Sequence, residues 1–270
     1  MSYQRDFKTW DELEAHVRQM AESNATSQGL DVGYFSDLLF RGQANHDWAL
    51  ETTLERAKPQ SKELAEYYRA VAIAKTQIET FTNRTWEDID YLSLRQAFAE
   101  YDSLRFSNLP HYDFLVYLRH HGFPSPLLDW SRSFYVAAFF AFNSPKAERV
   151  SIFVYQEHRG SGKSSSSGSA QIRALGPHVR SHPRHFLQQG EYTLCGHHIE
   201  GSWRFAPHSD VFARHEESQD KLWKFTVPAS ESAKVIKRLD EYNINAFSLF
   251  QSEESLMATL AARAFSPQGL

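Results

Sequence analysis

The 270-residue chain has almost no cysteine: Cys195 stands alone. An intrachain disulfide is excluded, and the composition points to a reducing compartment. Long apolar runs are missing too. None approaches the roughly 20 residues that cross a bilayer, and the opening MSYQRDFKTWDELE has no apolar stretch of signal-peptide length. A cytoplasmic protein with no membrane role is expected. Charge of either sign is modest, 29 Lys+Arg against 33 Asp+Glu for a net of -4. That is too mild for a protein that coats polyanions, although a small basic cleft can hide within it. Walker A, GxGxxG, CxxC and HExxH signatures are all absent.

What the chain does have is apolar and aromatic residues, 41% and 14%, enough for one large domain or one domain with an insert. It also has 13 histidines. Neighbours such as His120-His121 and His197-His198 point apart on a helix or strand, which makes them poor metal ligands. His182 and His185 flank Pro183, which argues against a helix there. No metal is expected.

Periodicity predicts an entry helix over 7–20, a polar loop over 21–33 and a strand over Tyr34–Phe40. Helices follow over 61–81, 86–106 and 111–121. The second half changes character: FYVAAFFAF (134–142) is a dense apolar segment, and RVSIFVYQ (149–156), YTLCGH and KLWKFTVP read as strands. Pro228 ends the last of these, before a helix to Tyr242 and a final one over about 255–264. GSGKSSSSGSA (160–170) is a low-complexity loop for which poor order is expected. The pattern predicts an α+β domain over 1–270, with a helical insert at about 60–121 outside the sheet.

Two segments carry chemical interest. The first is FRGQANHDWALETTLER (40–56), where Arg41 and Gly42 close a strand-like run. Arg41 is either a structural salt bridge or an anchor for an anionic ligand. The second is HHGFPSPLLDWSRSFYVAAFFAF (120–142). Glycine and two prolines force a turn there, Leu127-Leu128 forms a short strand, and Asp129, Ser131 or Ser133 caps the following helix. Such an arrangement is either a capped core helix or a ligand site beside a helix N-terminus.

Taken together, Phe40-Arg41-Gly42-Gln43, Trp48, Arg56 and the 120–142 segment resemble the FRG domain family. That family has a Phe/Tyr-Arg-Gly motif, then a His-x-Gly-x-Pro-Thr-Arg-Leu-Leu-Asp-Trp string, then a Val-Ala-x-x-Phe-Ala helix. The resemblance runs over about 34–265. This chain has Ser125-Pro126 in place of the family's Thr-Arg, so any role of that arginine falls to another residue. A weaker resemblance is to ADP-ribosyltransferases of the Arg-Ser-Glu type. They carry an aromatic-Arg-Gly strand, a Ser-Thr-Ser strand, four residues and a Val-Ala-x-x-Phe-Ala helix. Here Asp129-Trp130-Ser131 is followed by four residues and then Val136-Ala137-Ala138-Phe139-Phe140-Ala141, with Asp129 in place of the first serine.

The second resemblance implies a split ADP-ribosyltransferase-like β-sandwich and NAD as a consumed substrate. It places Arg41, Gly42, Gln43, Trp130 and Ser131 at the cofactor. Arg41 would hold a phosphate or ribose, and Gly42 would let the backbone meet the nicotinamide amide. The transferase motif Glu/Gln-x-Glu is matched by Gln189-Gly190-Glu191, with Glu191 as the carboxylate that stabilises the ribosyl cation. The FRG pattern favours Gln188 instead, and Asp129 is the other candidate. The implied target is a macromolecule, protein or nucleic acid (RNA or DNA). A toxin or anti-phage role with a neutralising antitoxin partner follows by analogy. The basic stretch Arg173–Arg184 is either a phosphate contact or a solvated loop. Two alternatives stay open: a non-catalytic binding module for a nucleotide or partner, and a nuclease using Asp129, His120 or His121, and Glu191.

Overall fold

A computed structural model describes residues 3–29, 33–100, 109–160, 162–164 and 168–265. Among the described residues there are eight strands: β1 (Tyr3–Asp6), β2 (Leu39–Gln43), β3 (Leu128–Ser131), β4 (Arg149–His158), β5 (Gln171–Ala174), β6 (Gly190–Ile199), β7 (Ser202–Phe205) and β8 (Gln219–Pro228). The helices are α1 (Trp10–Gly29), α2 (Thr53–Ala57), α3 (Leu64–Thr82), α4 (Tyr91–Glu100), α5 (Tyr112–His120), α6 (Phe134–Phe142), α7 (Pro183–Leu187), α8 (His208–Phe212), α9 (Ser232–Glu241), α10 (Ala246–Phe250) and α11 (Glu253–Phe265). The result is a mixed α+β protein on one open sheet, ordered β1-β8-β4-β2-β3-β6-β5, with β7 also paired to β6. Only β1 and β8 run parallel. No helix among the described residues is long and apolar enough to cross a membrane.

Helix α6 sets the first core. It is apolar on nearly all sides and caps on Ser133, whose hydroxyl accepts from the Val136 amide at 3.3 Å. Such a helix has to be covered all round. The sheet covers one side, through Phe40, Ile152 and Phe225, and Trp10, Leu13, Val235 and Leu239 of α1 and α9 join the same cluster. Gly42 makes the contact with β2 possible, because a Cβ there would lie 1.9 Å from the Ala137 carbonyl oxygen. The glycine that the resemblance assigned to a nicotinamide amide is thus first a packing requirement.

Helices α3, α4 and α5 gather around a second core with β6 and β7, built on Tyr68, Phe114, Leu115, Tyr192 and Trp203. Of the range 60–121, residues 101–108 lie outside the described residues. Helix α5 stops in a glycine-closed cap. The Phe123 amide donates to the Leu118 carbonyl (3.0 Å) and the Gly122 amide to the Arg119 carbonyl (3.4 Å), with Gly122 at φ +84°. Pro124 and Ser125 then lock the turn: the Tyr67 hydroxyl donates to the Pro124 carbonyl (3.1 Å), and the Ser125 amide to Thr53 Oγ1 (2.9 Å).

Several expectations need correction. Helix α1 runs to Gly29 through the stretch read as a loop. That stretch is polar because it is largely exposed, and Thr26 and Ser27 bond back to the carbonyls of Glu22 and Ser23. The strand placed at 34–40 is shifted, so Arg41 and Gly42 lie inside β2 and not after it. Pro183 does not exclude a helix. It opens α7 at the first turn, where its missing N–H costs nothing, behind a His182 cap.

Within 160–170, residues 161 and 165–167 lie outside the described residues. The described part is tied down. Lys163, 6% exposed, meets Glu157 and Asp220 at 2.8 Å each and also bonds the Ile172 carbonyl. Ser164 exchanges both main-chain bonds with the Gln219 amide (2.8 and 2.9 Å).

Two outcomes are expected from this packing. Gly42→Ala should lower unfolding free energy by about 1–3 kcal/mol or more through overpacking. Lys163→Met should lower it by about 3–5 kcal/mol, because two buried carboxylates lose their cation. Urea unfolding of both variants checks the pair, and a wild-type midpoint for either contradicts the packing described.

Candidate functional site

Strands β2 and β3 pair at one position, Phe40 opposite Ser131. Beyond it the ladder stops, and the Arg41 side chain enters the gap. Its Nη1 donates to the Asp129 main-chain carbonyl (2.8 Å) and to Asp129 Oδ1 (2.6 Å). Arg119, in the last turn of α5, reaches the same oxygen through Nη2 at 2.5 Å. Both guanidiniums are nearly buried, whereas the Asp129 side chain is 46% exposed because it opens on a cleft. Burial pushes the Asp129 carboxyl up, but Arg41 and Arg119 outweigh it and hold the group well below the usual carboxylate range.

The cleft has a volume of about 700 Å³. Arg41, Arg56, Arg119 and Arg184 line it, with Trp48, Phe140, Tyr192 and Phe250 as aromatic walls. Arg184 lies over the Phe250 ring at 5.4 Å, so the C-terminal helices contribute to the rim. The Nε atoms of Arg41 and Arg119 and the Oε1 of Gln43 are buried with no hydrogen-bond partner among the described residues. Two guanidiniums against one carboxylate leave the floor positive, which suits an anion.

The other residues singled out from sequence fall in different places. Gln43 donates to the Ala49 carbonyl (3.2 Å), orienting the loop that carries Trp48. Ser131 lines the cleft, but its hydroxyl is engaged: it donates to the Gln188 carbonyl (2.7 Å) and accepts from the Ser133 amide (3.0 Å). Trp130 also lines the cleft, while its ring packs on Tyr155 and its Nε1 donates to Thr193 Oγ1 (2.9 Å). Gln188 lines the cleft and its side chain bonds the Leu249 carbonyl (3.1 Å). Gln189 is exposed at φ +47° and its carbonyl accepts from the Arg132 amide.

Glu191 does not line the cleft. Its neighbours Gly190 and Tyr192 do, and side chains alternate along a strand. Burial pushes the Glu191 carboxyl up to about 7, against a lowering by Arg132, with Glu157 and Asp37 adding to the rise.

Cleft residues not singled out from sequence include Arg119, Tyr192 and Phe250, whereas Arg184 closes the basic stretch read as either a phosphate contact or a solvated loop. The period-two argument would have found Tyr192, since a strand that opens at Gly190 puts Tyr192, not Glu191, on the side of Gly190. His120, weighed as a metal ligand and for a nuclease, also lines the cleft and contacts Tyr192 Oη at 2.7 Å. Among the described residues no group of three or more His, Cys, Asp or Glu is placed to hold a metal ion.

The family model of the FRG domain matches residues 36–149. That span contains Arg41, Gly42, Arg119, Asp129 and Ser131, and the match supports the FRG family. No curated protein and no solved structure matches the chain.

The buried histidines generate a pH prediction. Burial pushes His120 down to about 4 and His208, beside Arg41 and Lys163, down to about 3, from an ordinary 6.5. Both are bases with depressed folded values, so the unfolded chain binds more protons below about pH 6.5. Their contribution to stability is complete above that value and is lost as pH falls toward 4 and 3. Glu191 acts in the opposite sense, losing stability as pH rises from about 4.5 toward 7. His208→Gln should therefore flatten the acid-side fall in unfolding free energy, removing about one proton of uptake. Urea titrations from pH 7.5 to 4.5 read this directly, and an unchanged slope would refute it.

Proposed function

We propose that the protein is an ADP-ribosyltransferase-like enzyme that consumes NAD, with the arginine-walled cleft as its nucleotide site and a macromolecule, protein or nucleic acid, as its target. The observation that carries the reading is the convergence of Arg41, Arg56, Arg119 and Arg184 on one aromatic-walled cleft. A diphosphate needs fixed positive charge and donors, and guanidiniums supply both in planar forks. Trp48 and Phe250 offer flat apolar surface for a base or a nicotinamide ring. The volume of the cleft falls in the range of small-molecule sites. The split-sandwich fold of such transferases is part of the proposal, with the parting of β2 and β3 as its support.

The carboxylate of the reaction is taken to be Asp129 in place of Glu191, because Asp129 lines the cleft between Arg41 and Arg119; Glu51 is the other acidic lining residue. Asp129 holds Arg41 and Arg119 at the correct spacing and places negative charge near a ribosyl cation. A toxin or anti-phage role, with a neutralising partner, belongs to the same proposal. One observation favours a second reading, a nucleotide-binding module without chemistry: both floor arginines are already paired to Asp129.

Calorimetric titration with NAD and incubation of labelled NAD with a lysate separate the two. Arg41→Ala should weaken NAD binding by about 1.5–3 kcal/mol, the range for a charge-assisted contact. Asp129→Asn should cut label transfer by roughly 10²-fold or more, while Glu191→Gln leaves it within a few-fold. Binding without consumption selects the module. No binding at all removes both readings.

A further inference from the structure

Behind the cleft three side chains meet. His120 Nε2 lies 2.7 Å from Tyr192 Oη, and Tyr192 Oη lies 3.4 Å from His185 Nδ1. His185 Nε2 is 2.7 Å from the Pro177 carbonyl. A carbonyl only accepts, so His185 Nε2 carries the proton and Nδ1 presents a lone pair. The Tyr192 hydroxyl has one proton to give. If it gave it to His120, the buried His185 Nδ1 would be left without a donor. One assignment satisfies every atom in the row: His120 Nε2–H donates to Tyr192 Oη, and Tyr192 O–H donates to His185 Nδ1. His120 Nδ1 is then the lone pair that remains.

Gly190 is the second observation. A Cβ at that position would lie 3.0 Å from His185 Nδ1 and 3.4 Å from Tyr192 Oη. The strand is bare where the row passes beneath it.

We propose that His120 is the general base of the cleft, taking the proton of the target's attacking hydroxyl or amine at Nδ1, with Tyr192 and His185 as the positioning residues that fix its tautomer. The assignment rests on the transferase reading of the cleft. In the step, the target's oxygen or nitrogen forms a bond to the ribose C1′. The C1′–nicotinamide bond breaks, and its electron pair leaves with neutral nicotinamide. The nucleophile's proton goes to His120 and then to solvent as product departs. The groups facing the imidazole are Asp129, which favours the imidazolium, and Arg119, His182 and His185, which oppose it. Asp129 thereby serves His120 as well as the two arginines. Burial keeps the base neutral at neutral pH, so it is competent without prior deprotonation.

Two measurements decide the matter. Nitrogen-detected NMR of the wild-type protein should show His120 and His185 both protonated at Nε2 near pH 7. Tyr192→Phe should abolish the single tautomer at His120, and Gly190→Ala should shift the His185 signals. A protonated Nδ1 at His120 overturns the proposal whatever the activity. In label transfer, His120→Gln should lose about 10²–10⁴-fold in turnover with NAD affinity unchanged, and should also lose the acid limb of the pH profile. His120→Asn gives the same test if the glutamine variant does not fold. Wild-type transfer with an unaltered limb in the variant overturns His120 alone. Absence of transfer by wild type overturns the transferase reading and this assignment together.

Discussion

The Asp129 carboxylate, held between Arg41 and Arg119, is the interaction on which the site depends. It joins three elements distant in sequence: β2, the last turn of α5 and β3. It also explains why the sheet can part beyond Phe40 and Ser131 without leaving main-chain groups stranded. Arg41 bonds the very Asp129 carbonyl that would otherwise face a departing strand. One side chain thus replaces a ladder bond and sets the charge of the cleft floor. Loss of Asp129's charge would leave two nearly buried guanidiniums facing each other. The opening of the cleft and its positive character therefore have a common origin, which agrees with both lying inside the matched FRG span.

Much of the fold was legible because apolar period dominates where burial is strong. Helices α3, α5 and α6 and strands β4 and β8 fall close to the ranges their patterns predict. The misses occur where burial gives no pattern. Strand β1 is exposed at all four residues, so nothing in its side chains marks the parallel pairing with β8. The second half of α1 is polar for the same reason. Within the site, Arg41, Gly42, Asp129 and Ser131 were found through residue type and spacing. Arg119 was not, because its role depends on which turn of α5 faces Asp129, and that is set by the glycine-closed cap at Gly122. Glu191 was favoured on a local motif, although strand alternation turns it away from the cleft. Local likeness gave the residue types; the geometry that faces them came from tertiary packing.

The row from His120 to Pro177 shows how a polar chain survives beside an aromatic core. Every hydroxyl and ring nitrogen of the row except His120 Nδ1 has a partner within it, and Gly190 leaves the room. Matched polar groups of this kind fix one tautomer and one rotamer, at the cost of tolerating little change. Tyr192 belongs at once to the cleft wall, to the row and to the second core. The second core thus reaches the cleft through the Tyr192 phenol as well as through Arg119 and His120 of α5.

Lys163 has a different kind of consequence. It is the only basic residue in the glycine- and serine-rich stretch 160–170, and its amine is inside the protein against Glu157, Asp220 and the Ile172 carbonyl. A protease that reads lysine has to take that side chain into its own pocket, and an acylating reagent has to meet a free, uncharged amine. Neither is available while the two carboxylates hold it. The peptide bond after Lys163, set in the most cleavable-looking composition of the chain, is guarded by its own specificity residue, and scission there reports that the lysine has first been let go.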